Sequence, residues 1–186
     1  MKKCLFILLM LISVNVMGQE EPLQCDTVIQ APGKSVSEIY TSVKAWVATS
    51  FNSANDVIQM DDPDNGILIC KGNFKYDAPG GAMTYGVLDG WVNFTLQVQV
   101  REGRYRITMG NFTHEAKPVP GGSYDWSLGL ITNRKRAKAK GVVDFRQKKT
   151  WNDLKVKCKI KFMEMTMSIS QATEKGGGLL DTHDDW

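Results

Sequence analysis

The feature that most constrains the fold is a segment of strictly alternating apolar and polar residues, Val92 to Arg101. Successive side chains of a strand point to opposite faces, so this alternation predicts a strand with one buried face and one wet face. Glu102-Gly103 then predicts a tight turn into a second strand, Arg104 to Glu115, in which Gly110 marks a bulge. The chain therefore contains an antiparallel hairpin that needs cover on one side only.

Further strands are predicted on both sides of this hairpin. Asp26 to Ala31 forms a short strand that Pro32-Gly33 ends. Two segments, Asp56 to Met60 and Ile67 to Tyr76, flank a turn-rich stretch and predict a second hairpin. The region 117–149 is irregular, with an apolar patch at 128–132 and a weak strand near Val142 to Phe145.

Two helices are predicted. Ser35 with Glu38 is a capping-box signature, and apolar residues recur at helical spacing from Val36 to Phe51. The C-terminal segment fits two periods, because lysines alternate with apolar residues from Val156 to Phe162 while apolar residues also recur three and four apart from Trp151 to Ala172. The cap signature of Thr150 with Asp153 favours a helix.

Several runs of this sequence resemble a known family. They are Ser53–Gln59, Gly72–Tyr76, Gly103–Arg106, Asn111–Glu115, Leu128–Thr132 and Trp151–Lys155. The chain from about Asp26 to Ala172 is similar to an uncharacterised exported family of Gram-negative bacteria, described as a domain of unknown function with a TBP-like fold. The resemblance implies an α+β fold, a curved antiparallel sheet with two helices packed on one face, and it implies no activity.

The N-terminus predicts export. Lys2 and Lys3 precede an apolar run, and small Gly18 precedes polar Gln19, which is the organisation of a cleavable signal peptide over residues 1–18. A retained anchor helix is the alternative, but the apolar run is shorter than the roughly 20 residues that span a membrane. We expect one domain over residues 19–175, a flexible tail over 176–186, and a location in the periplasm or on the surface of a Gram-negative bacterium.

The sequence carries no motif for a cofactor, a metal or a catalytic centre. Cys25, Cys70 and Cys158 match neither a zinc site nor a dense disulfide framework, and free buried thiols are expected at the latter two. The acidic turn at 61–65 departs from an EF-hand loop at two positions, so a polar hairpin turn is the preferred interpretation. His114-Glu115 is a His-carboxylate pair without a second histidine nearby, which favours a structural or hydrated His114.

The most unusual composition lies in a basic segment. Arg134 to Lys161 contains 12 Lys and Arg against 2 acidic residues. Its most crowded part is predicted to be an exposed loop, and two interpretations of it stay open. The loop is merely solvated, or it contacts an anionic envelope surface or acidic partner through Arg134, Lys135, Arg136, Lys138 and Lys140. Stacking aromatics are scarce there, which argues against nucleic acid.

Two hypotheses of function follow from the sequence. The first is a non-enzymatic binding or scaffold domain of the bacterial envelope, which contacts a partner through its sheet edge, its open face or the basic segment. The second is an enzyme or metal-binding protein whose site is not visible as a local motif. A concave pocket with convergent polar groups would favour the second, and an exposed groove or apolar patch would favour the first.

Overall fold

The structure is a computed structural model that describes residues 20–51, 53–80, 86–119, 124–134 and 144–176. The predicted signal peptide, most of the basic loop and the tail beyond Gly176 lie outside these ranges. In chain order, the elements are β1 Cys25–Gln30, α1 Val36–Ser50, α2 Ala54–Val57, β2 Ile58–Asp62, β3 Ile67–Tyr76, a 3-10 turn Gly86–Leu88, β4 Gly90–Arg101, β5 Arg104–Ala116, β6 Gly129–Leu130 and α3 Asp144–Glu174.

Within the described residues, the strands form one antiparallel sheet in the order β1-β5-β4-β3-β2, and β6 pairs with β5 beyond the end of β1. The hairpin predicted from the alternation is confirmed: β4 and β5 pair from Arg101 with Arg104 to Gly90 with Ala116. Every second residue of β4, from Gly90 to Val100, is buried. One face of the sheet therefore forms the core, as the sequence indicates.

The bulge in β5 lies one position beyond the predicted one. Thr95 pairs with Gly110 and Asn93 pairs with Thr113, so Asn111 and Phe112 together oppose Phe94. Asn111 takes a positive φ of 53°, a conformation that asparagine tolerates better than most residues. The extra residue keeps Phe112 on the buried face, where it is 0% exposed.

The second predicted hairpin is confirmed with a correction at its start. Asp56 and Val57, predicted to begin a strand, belong to the short helix α2, and the strand β2 starts only at Ile58. Gln59 donates a hydrogen bond to the Asp56 carbonyl at 3.2 Å, which closes this turn. β2 therefore pairs only with residues 67–70 of the longer β3.

Both predicted helices are present. Ser35 forms the expected capping box, because its Oγ accepts from the backbone of Glu38 while its own N–H donates to Glu38 Oε2 at 2.8 Å. The C-terminal segment is the 31-residue helix α3. It begins at Asp144, so the predicted start at Thr150 is wrong. The weak strand predicted near Val142 to Phe145 is also wrong at Asp144 and Phe145, which are helical. Val142 and Val143 lie outside the described residues.

Hydrogen bonds show that both helices cover the same face of the sheet. Tyr76 and Tyr105 lie opposite Gly90 and Val100, which share the buried side of β4. Their hydroxyls bond to α3, to Asp153 Oδ2 at 2.9 Å and to Thr173 Oγ1 at 2.8 Å. The two helices are joined where Trp46 Nε1 donates to Ser168 Oγ at 2.8 Å. The α+β architecture, with helices on one side of an antiparallel sheet, is thus confirmed.

The side chains between these two layers form one core. Its largest fully buried members come from the sheet, from both helices and from the segment after β5, and include Ile39, Leu68, Tyr76, Leu96, Tyr105, Ile107, Phe112, Ile131, Trp151 and Leu154. Among the described helices, none is long and apolar enough to cross a membrane.

Candidate functional site at the free edge of β3

The mismatch between β2 and β3 leaves part of a strand without a partner. β4 pairs with all of β3, whereas β2 ends its pairing at Cys70. Among the described residues, no strand pairs with Lys71 to Tyr76 on the side away from β4. The backbone N–H and C=O groups that point outward along this edge are a template for another strand.

An open cleft of about 1100 Å³ lies at this edge. Its lining includes β3 itself, the end of α1, the α2 turn, α3 and the side chains of both sheet faces. The residues on the helix side are of both kinds: apolar Trp46, Phe51, Val57, Phe94 and Met165, and polar Ser50, Ser53, Asp56, Lys161, Glu164 and Ser168. Those on the opposite face are polar: Lys71, Asn73, Asn93, Thr95, Asn111, Thr113 and Glu115.

Gly72 shapes the helix side of the cleft, where aromatic rings lie. A Cβ at this position would lie 2.7 Å from Cζ of Phe94 and 3.0 Å from Cε1 of Phe51. The two rings therefore close over the strand only because the residue between them has no side chain. Phe51 also packs edge-on against Trp46, with ring centroids 5.8 Å apart. This contact fixes the end of α1 beside the free edge.

The polar side of the cleft follows directly from the strand register. Asn73 pairs with Asn93, which in turn pairs with Thr113, and Lys71 pairs with Thr95. Residues paired across antiparallel strands lie side by side on one face. Amide and hydroxyl groups therefore form a continuous hydrogen-bonding surface next to the cationic Lys71.

His114 is a structural residue in this fold. Its side chain is 0% exposed. Nδ1 accepts from the backbone N–H of Leu128 at 3.1 Å, so the proton is on Nε2, which donates to the carbonyl of Leu88 at 2.9 Å. Burial lowers its pKa below the ordinary value for histidine. The imidazole thus joins three segments of chain, and the structural interpretation from the sequence is confirmed.

The acidic residues at the end of β2 hold the hairpin together. Asp61 accepts from Lys44 Nζ at 2.6 Å and from the Tyr40 hydroxyl at 2.7 Å, and these bonds lower the pKa of its carboxyl. Asp62 Oδ1 accepts from the backbone N–H of Asn65 at 3.1 Å. These carboxylates serve α1 and the turn itself, and no group of His, Cys, Asp and Glu among the described residues is arranged to hold a metal ion.

The three cysteines of the described chain are free thiols. Cys70 and Cys158 are buried, as expected, and burial raises their pKa to about 11 and about 12. Thiols with a raised pKa stay protonated at neutral pH and are poor nucleophiles.

Only Arg134 of the predicted anionic-partner contacts lies within the described residues. Its guanidinium pairs with the carboxylate of Glu20, and its side chain is 26% exposed. Its carbonyl accepts from Trp151 Nε1 at 3.1 Å and from Lys155 Nζ at 2.9 Å. The basic segment is thus anchored to α3 at its first residue. Lys135, Arg136, Lys138 and Lys140 lie outside the described residues, so their contact with an anionic partner stays a prediction.

Sequence reasoning did not identify the residues of the cleft. Asn73, Asn93 and Thr113 are 20 or more positions apart along the chain, and the sequence places each of them only within a predicted strand. The signal that was present is the isolated Gly72 inside an otherwise regular strand pattern, which marks a bulge or a close approach of other groups. The structure shows the second of these.

Part of the sequence matches a known family, and this match agrees with the fold. Residues 26–115 match the family described as "Domain of unknown function (DUF4468) with TBP-like fold". This part of the chain is similar to the DUF4468 family. The matched residues run from β1 to the end of β5, so the DUF4468 match includes both hairpins and the whole polar side of the cleft.

Two solved structures share the fold. A TBP-like protein from Parabacteroides distasonis is 11% identical, with a TM-score of 0.59 over 82% of this chain and 93% of that chain. A DUF4468 family protein from Bacteroides ovatus is 16% identical, with a TM-score of 0.56 over 80% of this chain and 86% of that chain. At such identities the likeness concerns the fold alone. No curated protein matches the chain significantly.

Proposed function

We propose that this protein is a non-enzymatic binding domain of the bacterial envelope that takes an extended peptide segment as an added strand at the free edge of β3. The observation that carries the proposal is the combination of an unpaired strand edge from Lys71 to Tyr76 with a cleft that borders it. Strand addition to an exposed sheet edge is a recurrent way of binding peptides. The main chain gives affinity, and alternate side chains give specificity.

The edge is long enough for such a ligand. Six residues of strand extend about 20 Å at roughly 3.4 Å per residue. A peptide laid along it would exchange hydrogen bonds with the outward backbone groups, each worth about 0.5–1.5 kcal/mol net. A short extended segment is therefore sufficient for specific binding when its side chains also find partners.

The two sides of the cleft define the peptide that fits best. Alternate side chains of an added strand point to opposite faces of the sheet. On the helix side they meet Phe51, Val57 and Met165, which favour apolar residues. On the other side they meet Lys71, Asn73 and Thr95, which favour acidic or hydrogen-bonding residues. The preferred ligand is an extended peptide in which apolar residues alternate with acidic or amide residues.

The state of the reactive side chains favours binding over catalysis. His114 uses both ring nitrogens in backbone hydrogen bonds inside the core. The buried thiols of Cys70 and Cys158 have a raised pKa. Most of the residues that line the cleft carry amides, hydroxyls or aromatic rings, which suit ligand binding. The charged groups Asp56, Glu115, Glu164, Lys71 and Lys161 also line it and can pair with polar groups of a ligand.

Export to the envelope belongs to the same proposal. It is supported by the organisation of residues 1–18 as a signal peptide. A partner would then be a peptide segment of another envelope protein, and the basic residues from Lys135 to Lys140 would add long-range attraction to an acidic partner.

The proposal is tested with a peptide display library panned against the mature chain. We expect selected peptides to show alternating apolar and acidic or amide positions and to lose binding when alternate backbone nitrogens are methylated. Hydrogen exchange with a selected peptide should show new protection of amides between Lys71 and Tyr76. The outer edge of β1, Cys25–Gln30, with which no described strand pairs, serves as the internal comparison and should show no change.

A matched pair of variants locates the site. Asp56 lines the cleft and Asp26 lies on β1 at the other side of the sheet, and both are exposed. Asp56→Arg places a long side chain at the rim of the cleft and should weaken peptide binding at least tenfold, whereas Asp26→Arg should leave it unchanged. Equal effects of both variants, or protection that maps away from β3, would refute strand addition at this edge.

A further inference from the structure

The outer surface of α3 carries an apolar stripe that no described part of the chain covers. One side of the helix packs on the sheet through Trp151, Leu154, Cys158 and Ile169, all buried. The opposite side presents four large apolar residues that are between 48% and 61% exposed: Val156, Ile160, Met163 and Met167. We call these four residues the outer stripe.

The spacing of the outer stripe is that of a helix–helix interface. Its members are separated by four, three and four positions, which places them in one line along an α-helix. Single exposed apolar residues are ordinary on a protein surface, whereas a contiguous line of them marks an interaction site. None of the four residues lines the cleft at β3, so the stripe is a separate surface.

The residues that continue this line carry opposite charges at its two ends. Lys149 lies seven positions before Val156, and Glu174 lies seven positions after Met167; both are exposed. The helix as a whole has the same polarity. Residues 144–159 contain six basic and two acidic side chains, and residues 160–174 contain one basic and two acidic side chains.

The pattern is symmetric about a point between Lys161 and Phe162. Ile160 and Met163 are equally far from that point, and so are Val156 and Met167, as well as Lys149 and Glu174. When two such helices pack antiparallel about a twofold axis through this point, each residue lies level with its counterpart on the partner helix. Apolar residues then meet apolar residues, and Lys149 meets Glu174 at both ends.

Other arrangements lack this complementarity. A parallel pair would place Lys149 against Lys149 and Glu174 against Glu174, and like charges in register repel. An anionic lipid surface would attract the basic half of α3 but would repel Glu174 at the acidic end of the line. A twofold interface uses the same patch on both subunits, which is what a self-complementary stripe supplies.

We propose that the protein forms a symmetric dimer in which the outer stripes of two α3 helices pack antiparallel. The proposal is independent of the peptide-binding function, because the two surfaces differ in residues. With one cleft on each subunit, such a dimer would bind a repeated ligand with higher avidity than a single domain.

The experiment is sedimentation velocity of the mature chain over a micromolar concentration series. We expect a concentration-dependent shift from monomer to dimer. The double variant Ile160→Glu/Met163→Glu should weaken the dimer at least tenfold, and the single variant Met163→Lys, at the more exposed of the two positions, should weaken it without risk to the fold. Met60→Glu is the matched control, because Met60 is 47% exposed on β2 and lies outside the stripe.

Charge exchange tests the orientation of the helices. Lys149→Glu and Glu174→Lys should each weaken the dimer, and the double exchange should restore it, because opposite charges again face each other in the antiparallel pair. A chain that stays monomeric throughout the series overturns the proposal. A dimer whose affinity is unchanged by Met163→Lys also overturns it, and so does a double charge exchange that does not restore dimer affinity. Co-sedimentation of the monomer with anionic vesicles that is lost in Met163→Lys would assign the stripe to lipid and overturn the dimer as well.

Discussion

His114 gives the sharpest test of the structure, because its imidazole satisfies two backbone groups that are otherwise buried without partners. In the variant His114→Phe, the ring volume is roughly kept while the bonds to the Leu88 carbonyl and the Leu128 N–H are lost. Each buried polar group left without a partner costs about 1–3 kcal/mol, so the two together cost about 2–6 kcal/mol. That is a large share of the 5–15 kcal/mol by which domains are typically stable.

The same residue predicts how stability depends on pH. Burial lowers the pKa of His114 in the folded state, so the unfolded chain, with an ordinary histidine pKa of about 6.5, binds a proton first as the pH falls. The stability that neutral His114 contributes is complete above about pH 6.5, the pKa in the unfolded chain, and is lost as the pH falls towards the folded-state pKa. In this window, the free energy of unfolding should fall by about 1.4 kcal/mol per pH unit from this residue.

The assay is chemical denaturation at several pH values between neutral and mildly acidic, with wild type and His114→Phe compared at each. Asp125 and Glu115, whose negative charges act on the imidazole, are present in both proteins, so the difference between the two curves isolates His114. His183→Gln removes the other histidine of the sequence and should change neither stability nor its pH dependence. Parallel curves for wild type and His114→Phe, or an NMR titration of His114 with an unshifted pKa, would refute the reasoning.

Three further predictions follow from single residues. Trp46 is 6% exposed and bonds to Ser168, so Trp46→Ala should lower the free energy of unfolding by about 3–5 kcal/mol; a denaturation midpoint equal to wild type would place Trp46 at the surface. A Cβ at Gly90 would overlap the carbonyl oxygen of Glu115, so Gly90→Ala should lower the melting temperature strongly. Gly110→Ala should not, because a Cβ there has no neighbour nearer than 3.6 Å. Similar losses of melting temperature in both variants would contradict the register of β4 and β5. The exported protein should begin at Gln19 by intact-mass measurement, and a chain beginning at Met1 would contradict the signal peptide.

Local patterns in the sequence determined most of the secondary structure. The alternation from Val92 to Arg101 predicted β4, its turn and the buried face, because the two-residue period of a strand is written directly in the residue order. The capping box predicted the start of α1, because Ser35 and Glu38 are only three residues apart and the pattern is visible in the residue order. The resemblance to a TBP-like family supplied the layer arrangement, which no local period contains.

The tertiary structure alone decided where the sites lie. β2 starts only at Ile58, opposite Cys70, because α2 takes up Asp56 and Val57, and this leaves the edge of β3 beyond Cys70 free. The partners of His114 lie 26 and 14 positions away from it, and Trp46 bonds to a residue 122 positions away. Such contacts depend on how whole elements pack against each other. A residue's type and its near neighbours fix the side of an element on which it lies, but not the group that it meets there.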